Sequence, residues 1–175
     1  MKATGIVRRI DDLGRVVIPK EIRRTMRIRE GEPLEIFTEG GGSVIFRKYS
    51  PAGEISATAA NLCDSVFKTC MRPMIVCDRD SIIAGSGSLK KELENQPLSK
   101  ELESAMESRQ IRQSAEGLSV SPSVPAASAA VVAPVIAEGD LCGCIAFLKN
   151  ETPITELDVR MAQASALFFS RQMEN

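Results

Sequence analysis

The order of apolar, polar and turn-forming positions divides the first fifty residues into short elements. Asp11-Asp12 interrupts a β-rich run, and Pro19 stands where the first residue of a helix is well tolerated. The glycine-rich residues 39–42 are typical of a hairpin turn. The predicted elements are strands over 5–10 and 13–18, a short helix over 20–27, and a hairpin of strands 34–38 and 43–48.

Apolar side chains occupy both faces of these predicted strands. Ile6 and Ile10 share one face of the first strand with Arg8, whereas Val7 points to the other face. Fifty residues from one chain cannot cover two apolar faces. We therefore expect an obligate dimer in which two copies interlock into one small barrel.

A different pattern begins after residues 50–53, whose sequence Ser-Pro-Ala-Gly marks a boundary. We therefore expect two domains, a head over 1–50 and a tail over 54–175. The predicted elements of the tail are helices over 54–70, 89–94, 98–107 and 155–173, strands over 73–77, 82–84, 129–137 and 141–148, and a mobile Ser/Pro/Ala-rich loop over 119–128. A helix, mixed strands and a closing helix predict a three-layer α/β domain of the sensor type.

Composition excludes several classes of protein. The longest apolar runs are far shorter than a membrane span, and the N-terminus lacks the apolar stretch of a signal peptide, so we expect a cytoplasmic protein without membrane contact. The sequence has no histidine, which removes His-based zinc sites, Ser-His-Asp triads and Cys-His dyads. No other nucleophile–base set is visible. We expect neither an enzyme nor a cofactor.

Two tail motifs have competing interpretations. Cys142 and Cys144 lie two apart on a predicted strand and hence on one face, where they are either a thiol sensor, half of a metal site, or two small core residues. We favour the core, because free cysteine is usually buried, and expect no metal. Residues 85–88, Gly-Ser-Gly-Ser, precede a predicted helix and are either a phosphate cradle or, as we favour, a linker.

Charge is unevenly distributed along the chain. Residues 1–29 hold 9 Lys and Arg against 3 Asp and Glu, whereas residues 51–175 hold 11 against 16. A basic end on an acidic body suggests a polyanionic partner for that end. The alternative is a chance cluster on a solvated face.

Residues 5–37 carry the most informative motifs. They are Gly5-Ile6-Val7-Arg8, Leu13-Gly14-Arg15-Val16-Val17-Ile18-Pro19 and Glu21-Ile22-Arg23-Arg24-Thr25, and the match continues through Lys48-Tyr49. This stretch resembles the AbrB family of bacterial transition-state regulators. The resemblance implies a dimeric swapped-hairpin barrel that binds double-stranded DNA on the chromosome.

The resemblance also implies which side chains contact DNA. They are Arg8, Arg15, Arg23 and Arg24, with Arg9 as a weaker addition because a basic residue there is less strictly part of the motif. The chemistry agrees, since a guanidinium keeps its charge and presents a planar fork to phosphate or guanine. The alternative for each arginine is a surface ion pair with Asp11, Asp12 or Glu21.

A head of this family joined to a tail of this length resembles sporulation-type regulators whose tail is a GAF domain. Residues 75–80 and 171–174 fit that resemblance. It implies an α+β chain, with a swapped-hairpin β-barrel followed by an α/β GAF-like domain that admits an unidentified small molecule. Two other classes remain: an antitoxin that autoregulates through the same barrel while its tail wraps a toxin, and a small-molecule-dependent enzyme in the tail.

The closing helix carries more apolar surface than one sheet requires. Leu157, Met161, Ala164 and Phe168 form one stripe at helical spacing, and a second stripe runs through Phe169. The opening helix has a similarly broad face with Leu62 and Val66. We therefore expect the tails to join through six residues and to give a homotetramer or a tail-bridged dimer. These residues are Leu157, Met161, Phe168, Phe169, Leu62 and Val66. The alternative is that one tail buries both stripes.

Overall fold

The computed structural model describes residues 4–48 and 56–174. The chain divides into two compact units, Met1–Tyr49 and Ser50–Asn175. The first unit contains the head and the second contains the tail. No helix in the described ranges is long and apolar enough to cross a bilayer.

Residues 4–48 of the head form one short helix and one hairpin. Helix α1 spans Lys20–Thr25, and strands β1 (Leu34–Glu39) and β2 (Ser43–Lys48) pair antiparallel from Leu34↔Lys48 to Glu39↔Ser43. Gly41 and Gly42 in the turn have φ of +92° and +82°, which glycine adopts at little cost. The predicted hairpin is confirmed.

Helix α1 ends because the chain turns into the left-handed region at Arg27, where φ is +53°. The Ile28 amide donates to the Arg23 carbonyl at 2.7 Å and the Arg27 amide to the Arg24 carbonyl at 3.3 Å, which is a Schellman termination. The helix is therefore two residues shorter than the predicted range of 20–27.

The two predicted N-terminal strands are not formed within one chain. Residues 4–18 contain a turn but no strand, and that turn holds the backbone bonds between Asp11 and Arg15 and between Gly14 and Asp11. A strand exists only where a second backbone completes its ladder. The prediction of strands over 5–10 and 13–18 is wrong for the single chain, because such a ladder needs a partner from outside it.

The tail is built on a five-stranded antiparallel sheet in the order β4-β3-β7-β6-β5. Its strands are β3 (Met74–Cys77), β4 (Ile82–Gly85), β5 (Arg112–Ser119), β6 (Ser128–Ala137) and β7 (Asp140–Leu148). Its helices are α2 (Ser56–Cys70), α3 (Lys90–Leu93), α4 (Lys100–Glu107) and α5 (Glu156–Met173). The long central strands β6 and β7 match their predicted ranges closely.

Apolar side chains cover both faces of this sheet. On one face, Ala59 and Cys63 of α2 and Ala162 and Phe169 of α5 are fully buried in one core cluster. On the other face, a second cluster contains Leu93, Leu98, Leu102, Met106 and Val120. Helices therefore lie on both faces, and the predicted three-layer arrangement is confirmed.

The structure differs from the sequence pattern beside the outer strand. Strand β5 was not predicted, because apolar and polar residues do not alternate in its sequence, RQSAEGLS. Its register with β6 also shifts between Gln113 and Leu118. The following residues 120–127 form a loop, as predicted, but part of this loop is packed into the core. Val120, Val124 and Ala127 are buried, and backbone bonds of 3.3 and 3.1 Å join residues 121, 124 and 127. The predicted loop over 119–128 is therefore confirmed for residues 120–127, and its buried side chains anchor it to the tail.

A buried ion pair connects the start of β3 to the start of α5. Arg72 is 4% exposed, and its guanidinium meets both Asp158 carboxylate oxygens at 3.3 and 3.2 Å. It also donates to the Thr152 and Pro153 carbonyls at 2.9 Å each and to the side chain of Asn150. Asp158 closes a capping box with Thr155 at the helix N-terminus. One arginine therefore holds the 150–155 loop and the closing helix in place.

Candidate nucleic-acid interface

The arginines assigned to DNA lie on three parts of the head. Arg8 and Arg9 precede the turn at residues 11–15, Arg15 ends that turn, and Arg23 and Arg24 lie in the last turn of α1. The side chains of Arg8, Arg9 and Arg24 are exposed and make no hydrogen bond or ion pair with any described residue. Cations in the last helical turn also complement the helix dipole. Three of the five guanidinium groups are thus available to an external anion.

Arg15 is held by Asp11. Its Nε lies 2.8 Å from Asp11 Oδ2, and its amide donates to Asp11 Oδ1 at 2.7 Å. These bonds to the Arg15 backbone and side chain lower the pKa of the Asp11 carboxyl. The surface ion pair of the alternative interpretation is therefore present at Arg15, although the Arg15 side chain remains 70% exposed.

Arg23 has a different environment. Its side chain is half-buried, and its Nε is shielded from solvent without a hydrogen-bond partner among the described residues. A shielded guanidinium nitrogen is costly unless a partner reaches the group. Within this head Arg23 is the least solvated of the five arginines.

The structure also shows contacts that the sequence reasoning missed. Lys48 donates to the Arg27 carbonyl at 2.7 Å and lies 3.6 Å from Glu32 Oε1, while Glu32 Oε2 accepts from the Arg29 amide at 2.6 Å. These bonds join the end of the hairpin to the end of α1. The sequence shows that these residues are acidic or basic, but it does not show which of them are paired. The partners lie up to 21 positions apart along the chain.

The head exposes much of its apolar surface within one chain. Val7 is 86% exposed, and more than half of the surface of each of five further apolar residues is exposed: Ile10, Leu13, Val17, Ile36 and Val44. Large contiguous apolar surfaces mark interaction sites on soluble proteins. This exposure supports the expectation that a second copy covers the head.

The expected tail interface divides into exposed and buried side chains. Leu157 is 64% exposed and Phe168 42%, and Met161 and Leu62 are half-buried. Phe169 and Val66 instead pack inside the core of their own tail, at 0% and 5% exposure. Their assignment to an interface is wrong, because the helices turn these two side chains toward the sheet.

The cysteines are structural residues of the tail. Cys142 contacts the cluster under α2 and α5, whereas Cys144 lies in the opposite cluster, because the register of β6 with β7 shifts beside Cys142. The expectation that they share one face is therefore wrong. Burial raises the pKa of the Cys63 thiol to about 12 and also raises the pKa of Cys77, which lies opposite Cys144 in register. No group of three metal-ligating side chains occurs among the described residues.

Residues 85–88 form a structural connection. The Ser86 hydroxyl is buried and bonds to the amide and carbonyl of Met74 at 3.0 and 3.3 Å. A Cβ on Gly87 would meet Pro73 at 3.0 Å. The polar groups of this segment are used within the fold, which agrees with a linker rather than a phosphate cradle.

Comparison with known proteins gives a family match for each part of the chain. Residues 54–174 match the family described as stage V sporulation protein T C-terminal, transcription factor. Residues 7–54 match the family described as antidote-toxin recognition MazE, bacterial antitoxin. Stage V sporulation protein T of Bacillus subtilis is 43% identical over 99% of both chains. The transition state regulatory protein AbrB of the same organism is 50% identical over 32% of this chain and 64% of its own.

Solved structures show the fold of the tail. The blue-light absorbing PixJ GAF-domain of Thermosynechococcus elongatus covers 71% of this chain and 90% of its own, with a TM-score of 0.52 and 13% identity. A type II free methionine-R-sulfoxide reductase of Thermoplasma acidophilum covers 69% and 94%, with a TM-score of 0.54 and 13% identity. At such identities the likeness concerns the fold alone, and the predicted GAF-like fold is confirmed.

An AbrB-type head followed by a GAF-fold tail defines a two-domain DNA-binding transcription regulator. The predicted resemblance to the AbrB family is confirmed by the matches to the head. The chain belongs to the stage V sporulation protein T family of transcription factors.

Proposed function

We propose that the head binds duplex DNA as an interlocked dimer, through Arg8, Arg15, Arg23 and Arg24 with support from Arg9. The observation that carries the proposal is that Arg8, Arg9 and Arg24 are exposed and unpaired among the described residues, on a head whose apolar surface is also uncovered. A second copy that covers this surface doubles the set of guanidinium groups. The protein then acts on the chromosome in the cytoplasm, in sporulation-type gene expression and without catalysis.

Arg15→Ala or Arg23→Ala should weaken binding of the full-length protein to duplex DNA. Each phosphate contact releases counterions, so log affinity should fall with log salt with a slope of roughly −4 to −7 for the parent. Removing one contact per chain removes two per dimer, which makes that slope shallower by about 2. Fluorescence anisotropy across a salt series measures both quantities.

Arg160→Ala is the matched control, because it removes an exposed arginine from the tail helix α5. It should leave affinity and slope unchanged, and sedimentation should give the parent mass for all variants. Parental affinity and slope in both Arg15→Ala and Arg23→Ala would contradict the assignment of these arginines to DNA.

We infer that the tail joins two head dimers into a tetramer. Leu157, Met161, Ala164 and Phe168 recur at helical spacing along α5 and are here called the outer stripe. Leu157, Ala164 and Phe168 are exposed, whereas Met161 also packs against the core of its own tail. Leu167 is 55% exposed beside them. Linking two DNA-binding dimers raises affinity through effective concentration without any new contact to DNA.

Phe168→Glu should convert the full-length protein from a tetramer to a dimer, because a carboxylate in an apolar contact must be desolvated. Loss of the linkage should weaken binding to DNA that carries two sites by about 100-fold or more. Gln163→Glu is the control, since it places the same carboxylate on an exposed position of α5 outside the outer stripe. A tetramer that survives Phe168→Glu would contradict this use of the stripe.

A second candidate function is an antitoxin that regulates its own synthesis through the same head. The match of residues 7–54 to the MazE antitoxin family favours it. The folded sheet of the tail argues against an antitoxin function, because tails that wrap a toxin tend to be disordered before binding. Co-purification of a stoichiometric toxin with the full chain would favour the antitoxin over the regulator.

Two open clefts on the tail are candidate sites for a small-molecule signal. The space between the sheet and α4 is filled by Leu98, Leu102 and Met106, among others. Clefts of about 560 and 450 Å³ lie on either side of residues 149–152. We propose these clefts as the first places to look for an unidentified small molecule.

A further inference from the structure

The turn before Arg15 is organised by a single carboxylate. Asp11 Oδ1 accepts from the amides of Leu13 and Arg15 at 3.1 and 2.7 Å. The Asp11 amide donates to the Arg15 carbonyl at 3.1 Å, and the Gly14 amide donates to the Asp11 carbonyl at 3.0 Å. Gly14 permits the closure because its φ is +77°. Backbone and side chain of Asp11 together close the loop over residues 11–15.

The same carboxylate also fixes the direction of the Arg15 side chain. Asp11 Oδ2 meets Arg15 at Nε, 2.8 Å away, and not at either terminal nitrogen. The two terminal amino groups keep their donors and lie on a side chain that is 70% exposed. A guanidinium recognises phosphate or guanine through pairs of such donors. The ion pair thus leaves the two terminal amino groups of Arg15 available to bind a ligand.

We propose that Asp11 is a positioning residue for DNA binding, which acts by holding Arg15 at Nε so that its two terminal nitrogens face the nucleic acid. This inference rests on the proposed function of Arg15. An arginine that is already oriented loses less side-chain freedom when it binds. The Asp11 carboxylate therefore strengthens binding to a polyanion, although its own charge repels that polyanion.

These two effects of Asp11 have opposite signs, which allows a sharp test. By charge alone, Asp11→Asn should tighten binding, because it removes a negative group beside the phosphates. Through positioning it should weaken binding, because the amide cannot pair with Nε as an anion does. The asparagine retains an oxygen for the amides of Leu13 and Arg15, so the turn itself is preserved.

Asp12→Asn provides the charge control. Asp12 is exposed, follows Asp11 directly and makes no hydrogen bond or ion pair within the described chain. Its replacement removes the same charge from the same loop without touching Arg15. Affinity of the full-length protein for duplex DNA, measured by anisotropy, should be equal to or tighter than that of the parent.

For Asp11→Asn we expect an affinity for duplex DNA roughly 5- to 50-fold weaker than that of the parent, because each dimer loses the orientation of two arginines. In an Arg15→Ala background the same substitution should cause no further loss. The thermal midpoint of Asp11→Asn should match that of the parent, which separates a positioning effect from unfolding.

Two results would overturn the inference. One is that the Asp11→Asn variant binds DNA as tightly as the Asp12→Asn variant, and the other is that Asp11→Asn still weakens binding when Arg15 is absent. Parental binding by Arg15→Ala alone would instead overturn the proposed function of Arg15.

Discussion

Arg72→Ala should lower the free energy of unfolding of the protein by about 3–5 kcal/mol, because it leaves the buried Asp158 carboxylate without its counter-charge. The same change removes donors to Asn150, Thr152 and Pro153. The loop before α5 then loses its connection to β3. Urea unfolding followed by far-ultraviolet circular dichroism measures the change.

Arg160→Ala is the control for Arg72→Ala. Arg160 pairs with Glu156 at 2.6 Å on the surface of α5, the helix that also carries Asp158. An exposed pair contributes less than about 1 kcal/mol, so this variant should unfold close to the parent. Equal stabilities of the two variants would refute the assigned role of Arg72.

Acid titration is a second readout of the same ion pair. Burial raises the pKa of Asp158, but hydrogen bonds from Thr155 and Arg72 outweigh that effect and hold its pKa below the ordinary value. A lowered folded pKa means that the stabilisation is present above the unfolded pKa of about 3.9 and is lost as pH falls through the folded value. The parent should therefore lose more stability below about pH 4 than Arg72→Ala does.

Gly143→Ala should destabilise the tail by about 1–3 kcal/mol or more, as overpacking of a core does. A Cβ at Gly143 would lie 2.0 Å from the Cys77 carbonyl oxygen and 3.0 Å from Asp78 Cα. Both neighbours are backbone atoms, so β7 and the end of β3 must separate to admit a methyl group. Thermal and urea unfolding of the full chain measure the effect.

Gly85→Ala is the control for Gly143→Ala. Gly85 is also buried at a strand position of the sheet, but a Cβ added there would meet Ile75 Cγ2 at an ordinary 3.5 Å. It should therefore be tolerated far better. If both variants unfold alike, the close approach of β3 and β7 is not the cause.

Elements with strong local patterns could be predicted from the sequence. The hairpin around residues 39–42, the central strands β6 and β7, and helix α5 all lie close to their predicted ranges. The contrast between a basic head and an acidic body, together with the arginine-bearing motif, indicated a DNA-binding regulator. Each of these signals depends on neighbours within a few positions along the chain.

Only the tertiary structure decided how side chains with the same pattern are used. Phe168 and Phe169 are adjacent on α5, yet the first is exposed and the second is buried. Cys142 and Cys144 face opposite clusters because of a shift in register between β6 and β7. Strand β5 lacks an alternating pattern and exists because β6 offers it a ladder.

For the candidate interface, the sequence by itself determined which arginines belong to the head, and it offered Asp11 only as one surface ion-pair partner. The structure decided that Asp11 meets Arg15 at Nε and that Arg72 meets Asp158 across 86 positions of the chain. Residue type and spacing specify which groups are present, since charge and local propensity are properties of short segments. Distance and burial depend on how distant segments pack, so only the folded chain determines which of those groups are paired and which remain open to a partner.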